Sequence, residues 1–157
     1  MLALTFWFIR ARVMTGKQAG FSRTIDIAAP AARVWDVMRD VERWAEWTAS
    51  VTSIRRLGSG PLAAGSKLEI RQPKLPPAVW TVVEVIEGRS FTSTTGGPGV
   101  LVTARHWIEP IPSGCRVTLS LAFTGFFGGI VARLCRTLNN RYLDLEAAGL
   151  KRRSEGG

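Results

Sequence analysis

The sequence predicts an α+β domain: a curved antiparallel sheet of about seven strands wrapped around a long C-terminal helix, in the order β-α-α-β6-α. Three observations carry this. Residues 21–28 alternate large and polar side chains with period two, ahead of anything helical. Six strand-like stretches then follow between residues 51 and 124, with connections too short for crossover helices, so neighbours pair antiparallel. From Phe126 the apolar period changes to that of a helix and runs for ~22 residues. A sheet with one apolar face needs a cover, and that last helix is the only element long enough to supply it. Wherever side chains between the two are small, a cavity remains.

The elements follow in order. FSRTIDIA (residues 21–28) is the first strand, and Pro30 suits the first turn of a helix because its missing N–H has no partner there anyway. Val34, Trp35, Val37, Met38 and Val41 recur at helical spacing, with Arg33, Asp36, Arg39 and Asp40 between them. A second short helical piece puts Trp44 and Trp47 on one face. Strands are predicted at residues 51–57, 66–72, 78–86, 90–95, 100–109 and 115–124. GSGPLAAG, PKLPP, EGR, GGPG and PIPSG supply the breaks between them. In the C-terminal helix Ile130, Val131, Leu134, Leu138, Tyr142 and Leu145 are expected to form the apolar stripe. Lys151, Arg152 and Arg153 close it, where cations suit the helix dipole.

The 157 residues make one domain, residues 21–155, behind an N-terminal extension, residues 1–20. Residues 1–9 (MLALTFWFI) are apolar but far short of the ~20 needed to span a bilayer. They fit an added strand or helix, a short membrane-surface anchor using Phe6, Trp7 and Phe8, or an upstream extension loosely attached before a start at Met14; the last is favoured. The net charge is +9, with 17 Arg and 4 Lys spread along the chain rather than gathered. That pattern reads as a solvated basic exterior, not as a specific nucleic-acid site. Two cysteines, Cys115 and Cys135, and a single histidine make neither a disulfide framework nor a metal site, and no cofactor is expected. Asp36 and Asp40 belong to a solvated helix face. The glycine turns lack the spacing of a phosphate-binding loop. The expected location is cytoplasmic, with peripheral membrane contact as an alternative, and the oligomeric state stays open.

One motif carries a resemblance. Ile27, Ala29, Pro30, Val34, Trp35, Asp40, Trp44 and Trp47 spell I-x-A-P-x-x-x-V-W-x-x-x-x-D-x-x-x-W-x-x-W. Together with QPKLPPAVWTV, H-x-x-E-P and LEAAGLKRRSE, this resembles the START-like (SRPBCC, Bet v 1-like) superfamily. Within it the chain is similar to the polyketide cyclase/dehydrase and lipid-transport branch, and to a bacterial subgroup of that branch. The likeness runs from Phe21 to about Glu155 and implies the helix-grip fold. It implies little about activity, because the members include cyclases, ligand carriers, quinone-binding chaperones and stress-response proteins, with no shared catalytic motif.

Strand alternation then selects the side chains that should see the cavity. These are Leu68, Ile70 and Gln72; Val79, Thr81, Val83 and Val85; Phe91, Ser93 and Thr95; Val100, Val102, Ala104, His106 and Ile108; and Cys115, Val117, Leu119, Leu121 and Phe123. On the fourth strand this places Trp80 and Glu84 outside, unless a bulge near Pro77 or Trp80 inverts part of it. The candidate ligand-binding set is Gln72, Thr81, Val83, Phe91, Ser93, Val102, Ala104, His106, Leu119, Leu121, Leu138 and Tyr142. An apolar chamber with a few polar points is the composition of a small-molecule pocket.

The leading function is therefore binding of a hydrophobic small molecule: a lipid, a quinone or a polyketide-like ring compound. The alternative is a cyclase or dehydratase. His106 would be its acid/base, being the one side chain whose ordinary pKa lies near neutrality, with Tyr142 or Gln72 as donor. A membrane-surface lipid carrier, using the apolar N-terminus and the basic helix tail, is the second alternative. The competing structural roles are a buried neutral imidazole for His106, helix packing for Tyr142, core for Trp35, Trp44 and Trp47, and apolar filling for both cysteines.

Overall fold

The structure, a computed structural model, describes residues 19–156. The expectations for residues 1–18 lie outside the described residues. Strand β1 (Ala19–Ile27) leads into α1 (Ala31–Arg39) and a 3-10 segment (Val41–Glu46). Then come β2 (Ser53–Arg56), β3 (Lys67–Arg71), β4 (Ala78–Ile86), β5 (Ser90–Gly97), β6 (Val100–Ile111) and β7 (Gly114–Thr124). Helices α2 (Gly128–Leu134) and α3 (Arg136–Glu155) end the chain. The seven strands form one antiparallel sheet in the order β1-β7-β6-β5-β4-β3-β2. The long return from β1 to β2 is what lets the first strand pair with the last, Ala19 opposite Phe123 and Ile27 opposite Cys115. β1 thus starts two residues before the predicted Phe21.

Two expectations are corrected. The single C-terminal helix is two, because the chain turns at Cys135. The predicted stripe holds only in part: Tyr142 is buried and Val131 lines the interior, but Ile130 and Leu134 are exposed, and Ala132, Asn139, Leu143, Ala147 and Leu150 are buried instead. Both sets have helical spacing, and the inward set was obscured because it carries Asn139 and small residues. On β4, Val82 pairs with Ser93 but Glu84 pairs with Thr92, so Val83 is a bulged residue. Val79 and Val83 are exposed, while Trp80 packs against the core and Val82 is fully buried. An unbroken β-branched run gives no alternation to read, and the bulge re-phases the strand so that only Val85 of the expected inward set packs on the core.

The core lies between the sheet, α1, the 3-10 segment and the C-terminal part of α3. Trp35, Trp44 and Trp47 are all buried. The Trp35 indole N–H donates to Glu87 at 2.9 Å, and that of Trp44 donates to the Met38 carbonyl at 3.0 Å. Gly149 lies directly under the Trp47 carbonyl, so a Cβ there would collide with backbone. At the closed end of the sheet Asp26 accepts from Arg116 at 2.7 and 2.9 Å, and Glu155 accepts from Lys151 at 2.6 Å and from the Ala28 N–H at 2.7 Å. The Arg116 hydrogen bonds hold Asp26 below its ordinary 3.8, and the Lys151 and Ala28 hydrogen bonds hold Glu155 below its ordinary 4.5.

Two predictions follow from this packing. Gly149→Ala should destabilise by about 1–3 kcal/mol in urea unfolding, because overpacking against backbone outweighs the ~1 kcal/mol that alanine gains in a helix. An unchanged or higher midpoint would mean that α3 does not sit this close. Depressed carboxylates contribute stability above their unfolded pKa and lose it as pH falls through the folded one. Melting temperature should therefore fall below about pH 4, and the fall should be shallower in Asp26→Asn and Glu155→Gln.

Candidate functional site

Between the sheet and the N-terminal half of α3 lies a cavity of about 240 Å³. Its floor is the inner face of the sheet: Leu68 and Ile70 from β3, Trp80 from β4, Phe91 and Ser93 from β5, Val102, Ala104 and His106 from β6, and Leu119, Leu121 and Phe123 from β7. Val41 and Trp44 close one end. Val131, Cys135, Asn139, Tyr142, Leu143 and Glu146 form the helical roof. The polar groups are few, and three of them, Asn139, Tyr142 and Glu146, share one face of α3 at spacings of three and four.

Of the residues picked from sequence, Gln72, Phe91, Ser93, Val102, Ala104, His106, Leu119, Leu121 and Tyr142 are brought together on this cavity. Thr81, Val83 and Leu138 are not. Thr81 lies with Val79 on the outer face of the sheet, Val83 is the exposed bulge residue, and Leu138 is half-buried beside the inward-facing Asn139. Thr95 is likewise off the cavity, its hydroxyl donating to the Val79 carbonyl at 2.8 Å. Gln72 donates to the Ser50 carbonyl at 3.1 Å. The Tyr142 hydroxyl donates to the Pro73 carbonyl, which ties the PKLPP loop to α3, and burial pushes its pKa up. Both effects keep this phenol protonated and its proton engaged.

His106 sits mid-strand on β6, opposite Phe91 on one side and Leu119 on the other. Phe91 stacks on its ring at 4.4 Å, and Trp44 meets it edge-on at 5.2 Å. Its Nε2 is 2.7 Å from Glu146 Oε1, and both side chains are nearly buried. Where Glu146 is a carboxylate it only accepts, so the hydrogen bond runs from the imidazole Nε2–H to Oε1. Nδ1 has no hydrogen-bond partner among the described residues, and neither has Asn139 Nδ2. Sequence reading missed Glu146 and Asn139, neither of which belongs to the expected apolar stripe. The available signal was their seven-residue spacing, on the face that also carries Tyr142, Leu143, Ala147 and Leu150. Among the described residues no three His, Cys, Asp or Glu side chains cluster as metal ligands, and no helix is long and apolar enough to cross a membrane.

A curved sheet gripping a long helix around an apolar cavity is the helix-grip architecture. The family model described as polyketide cyclase / dehydrase and lipid transport matches residues 18–155, and the chain belongs to that family. No curated protein matches it in sequence. Among solved structures, a Thermobifida fusca protein is 22% identical over 88% of this chain and 92% of its own, with TM-score 0.69. Norcoclaurine synthase from Thalictrum, in complex with a transition-state analogue, is 12% identical over 87% and 94%, with TM-score 0.69. The di-domain aromatase/cyclase BexL of the BE-7585A biosynthetic pathway is 17% identical over 88% of this chain and 49% of its own, with TM-score 0.65. At these identities the likeness is one of fold.

The buried pair generates its own prediction. Glu146→Ala strips the imidazole N–H of its acceptor and should cost about 1–3 kcal/mol in urea unfolding. Replacing both partners with apolar groups, His106→Phe with Glu146→Leu, should cost less, because no polar group is then stranded. Equal or greater loss in the double variant would contradict a desolvated pair.

Proposed function

We propose that the protein binds a hydrophobic small molecule in the cavity between sheet and α3, of the lipid, quinone or polyketide-like ring class. The observation that carries this is the lining: mostly aliphatic and aromatic side chains, with a few polar points on the sheet and a short polar strip on α3 facing His106. Apolar area supplies affinity, and the strip orients the ligand's oxygen. A volume of about 240 Å³ favours a compact ring compound or a single acyl chain over a whole two-chain lipid. His106 Nδ1 and Asn139 Nδ2 are buried without a hydrogen-bond partner among the described residues, so each would gain from a polar ligand atom that reached it.

The same pair favours a second reading, acid–base chemistry on an enolisable ligand. His106 would take a proton from the carbon next to a carbonyl, and the Glu146 carboxylate would stabilise the imidazolium that forms. Asn139 then replaces Tyr142 as the donor to the enolate oxygen, since the Tyr142 proton is held by Pro73. The cyclase and the norcoclaurine synthase among the fold neighbours support enzymatic use of such a chamber.

Two experiments separate these readings. β-Naphthol should quench tryptophan fluorescence, because Trp44 and Trp80 line the cavity. Ala104→Phe, which fills the floor, should weaken that binding at least ~10-fold, equivalent to 1.4 kcal/mol. Equal affinity in Ala104→Phe would place the binding elsewhere. For chemistry, the protein should accelerate deuterium exchange at the α-carbon of β-tetralone, and His106→Ala should abolish the acceleration while still binding β-naphthol. Exchange no faster than buffer would leave a binding protein.

A further inference from the structure

Ile130 and Leu134, which the sequence assigns to the core, are on the outside, and they belong to a coherent stripe. Phe126, Ile130 and Leu134 are four residues apart and are 87%, 59% and 79% exposed. Phe127, 47% exposed, packs edge-on against Phe126 at 4.9 Å. Isolated exposed apolar side chains are ordinary, but a contiguous aromatic and aliphatic stripe on one helix marks a contact surface. The opposite side of the same helix is buried through Gly128 and Ala132, and Val131 on its flank, followed by Cys135, lines the cavity.

We propose that this outer face of α2 docks on an anionic lipid bilayer. Charge points to that occupant. Arg133 and Arg136 are exposed beside the stripe, and no Asp or Glu occurs in the sequence between Glu109 and Asp144. The strand ends that meet α2 are equally free of acid. On β1 the first acidic residue of the whole chain is Asp26, which pairs with Arg116 at the far end of the sheet, where Glu109 also lies. On α3, Asp144 is engaged by Arg23 and Glu146 by His106. An apolar stripe with aromatic rings and an arginine rim is the composition of an interfacial helix, in which rings enter the acyl boundary and cations meet the headgroups. A second copy of the chain fits less well, since a two-fold contact would set Arg133 and Arg136 against themselves. Docking this way lays a wall of the chamber on the membrane that would supply or receive an apolar ligand.

Co-sedimentation of the full chain with vesicles tests it. The protein should bind phosphatidylcholine vesicles containing phosphatidylglycerol, and bind phosphatidylcholine alone at least tenfold more weakly. Phe126→Ser with Leu134→Ser should weaken binding to the mixed vesicles at least tenfold without changing the circular dichroism or the melting temperature. Arg133→Gln with Arg136→Gln should weaken it on the order of tenfold and flatten its salt dependence. Undiminished binding of the Phe126/Leu134 variant overturns the proposal, including the case in which Trp7→Ser with Phe8→Ser abolishes binding instead. So does a chain that binds no vesicles, or one whose Phe126/Leu134 variant merely converts a dimer to a monomer.

Discussion

The structure depends on how closely α3 approaches the backbone at Trp47. Gly149 allows a contact that no side chain would tolerate, and around it Ala147 and Leu150 are buried against the core. That contact pins the C-terminal part of the helix to the 3-10 segment and the closed end of the sheet. A straight helix laid on a curved sheet cannot be tight along its whole length. Toward its N-terminal half the inward residues Asn139, Tyr142 and Glu146 meet open space instead of packed side chains. The cavity is thus the geometric consequence of a close contact about one to three turns away. The PKLPP loop, held by the Tyr142 hydroxyl, maintains the other side of the opening.

Within that chamber one polar interaction sets the chemistry. His106 is held by aromatic rings from β5 and the 3-10 segment, and by a carboxylate from α3. Among the described residues this short hydrogen bond joins sheet and helix across the cavity. The strength of this arrangement comes from desolvation. In water the pair would be worth little, whereas here each partner is costly to strand. An imidazole held by a carboxylate in this way is compatible with either proposed role, binding or proton transfer.

How far the sequence is legible follows from the same physics. Alternation works where one face of a strand is apolar and the other polar, as on β6 and β7, and it correctly aims Val102, Ala104, His106, Leu119 and Leu121 inward. It fails on β4, where AVWTVVEVI is apolar on both sides and the bulge at Val83 leaves no mark in composition. On α2 and α3 hydrophobicity itself misleads. The most apolar stripe, Phe126, Ile130 and Leu134, faces out, and the true inner face is diluted by Asn139, Glu146 and Gly149. Glu146 is the residue that most changes the reading of His106, and a glutamate on a long basic helix reads as surface charge until a partner is seen across the cavity.

We propose that the space between sheet and α3 holds an apolar molecule. Native mass spectrometry of the full chain, purified without organic solvent, tests it most directly. The account predicts a bound species of one compact ring compound or one acyl chain, at one copy per chain, that is lost in Ala104→Phe. A wild-type protein that carries no such species and gains none on incubation with β-naphthol would contradict it.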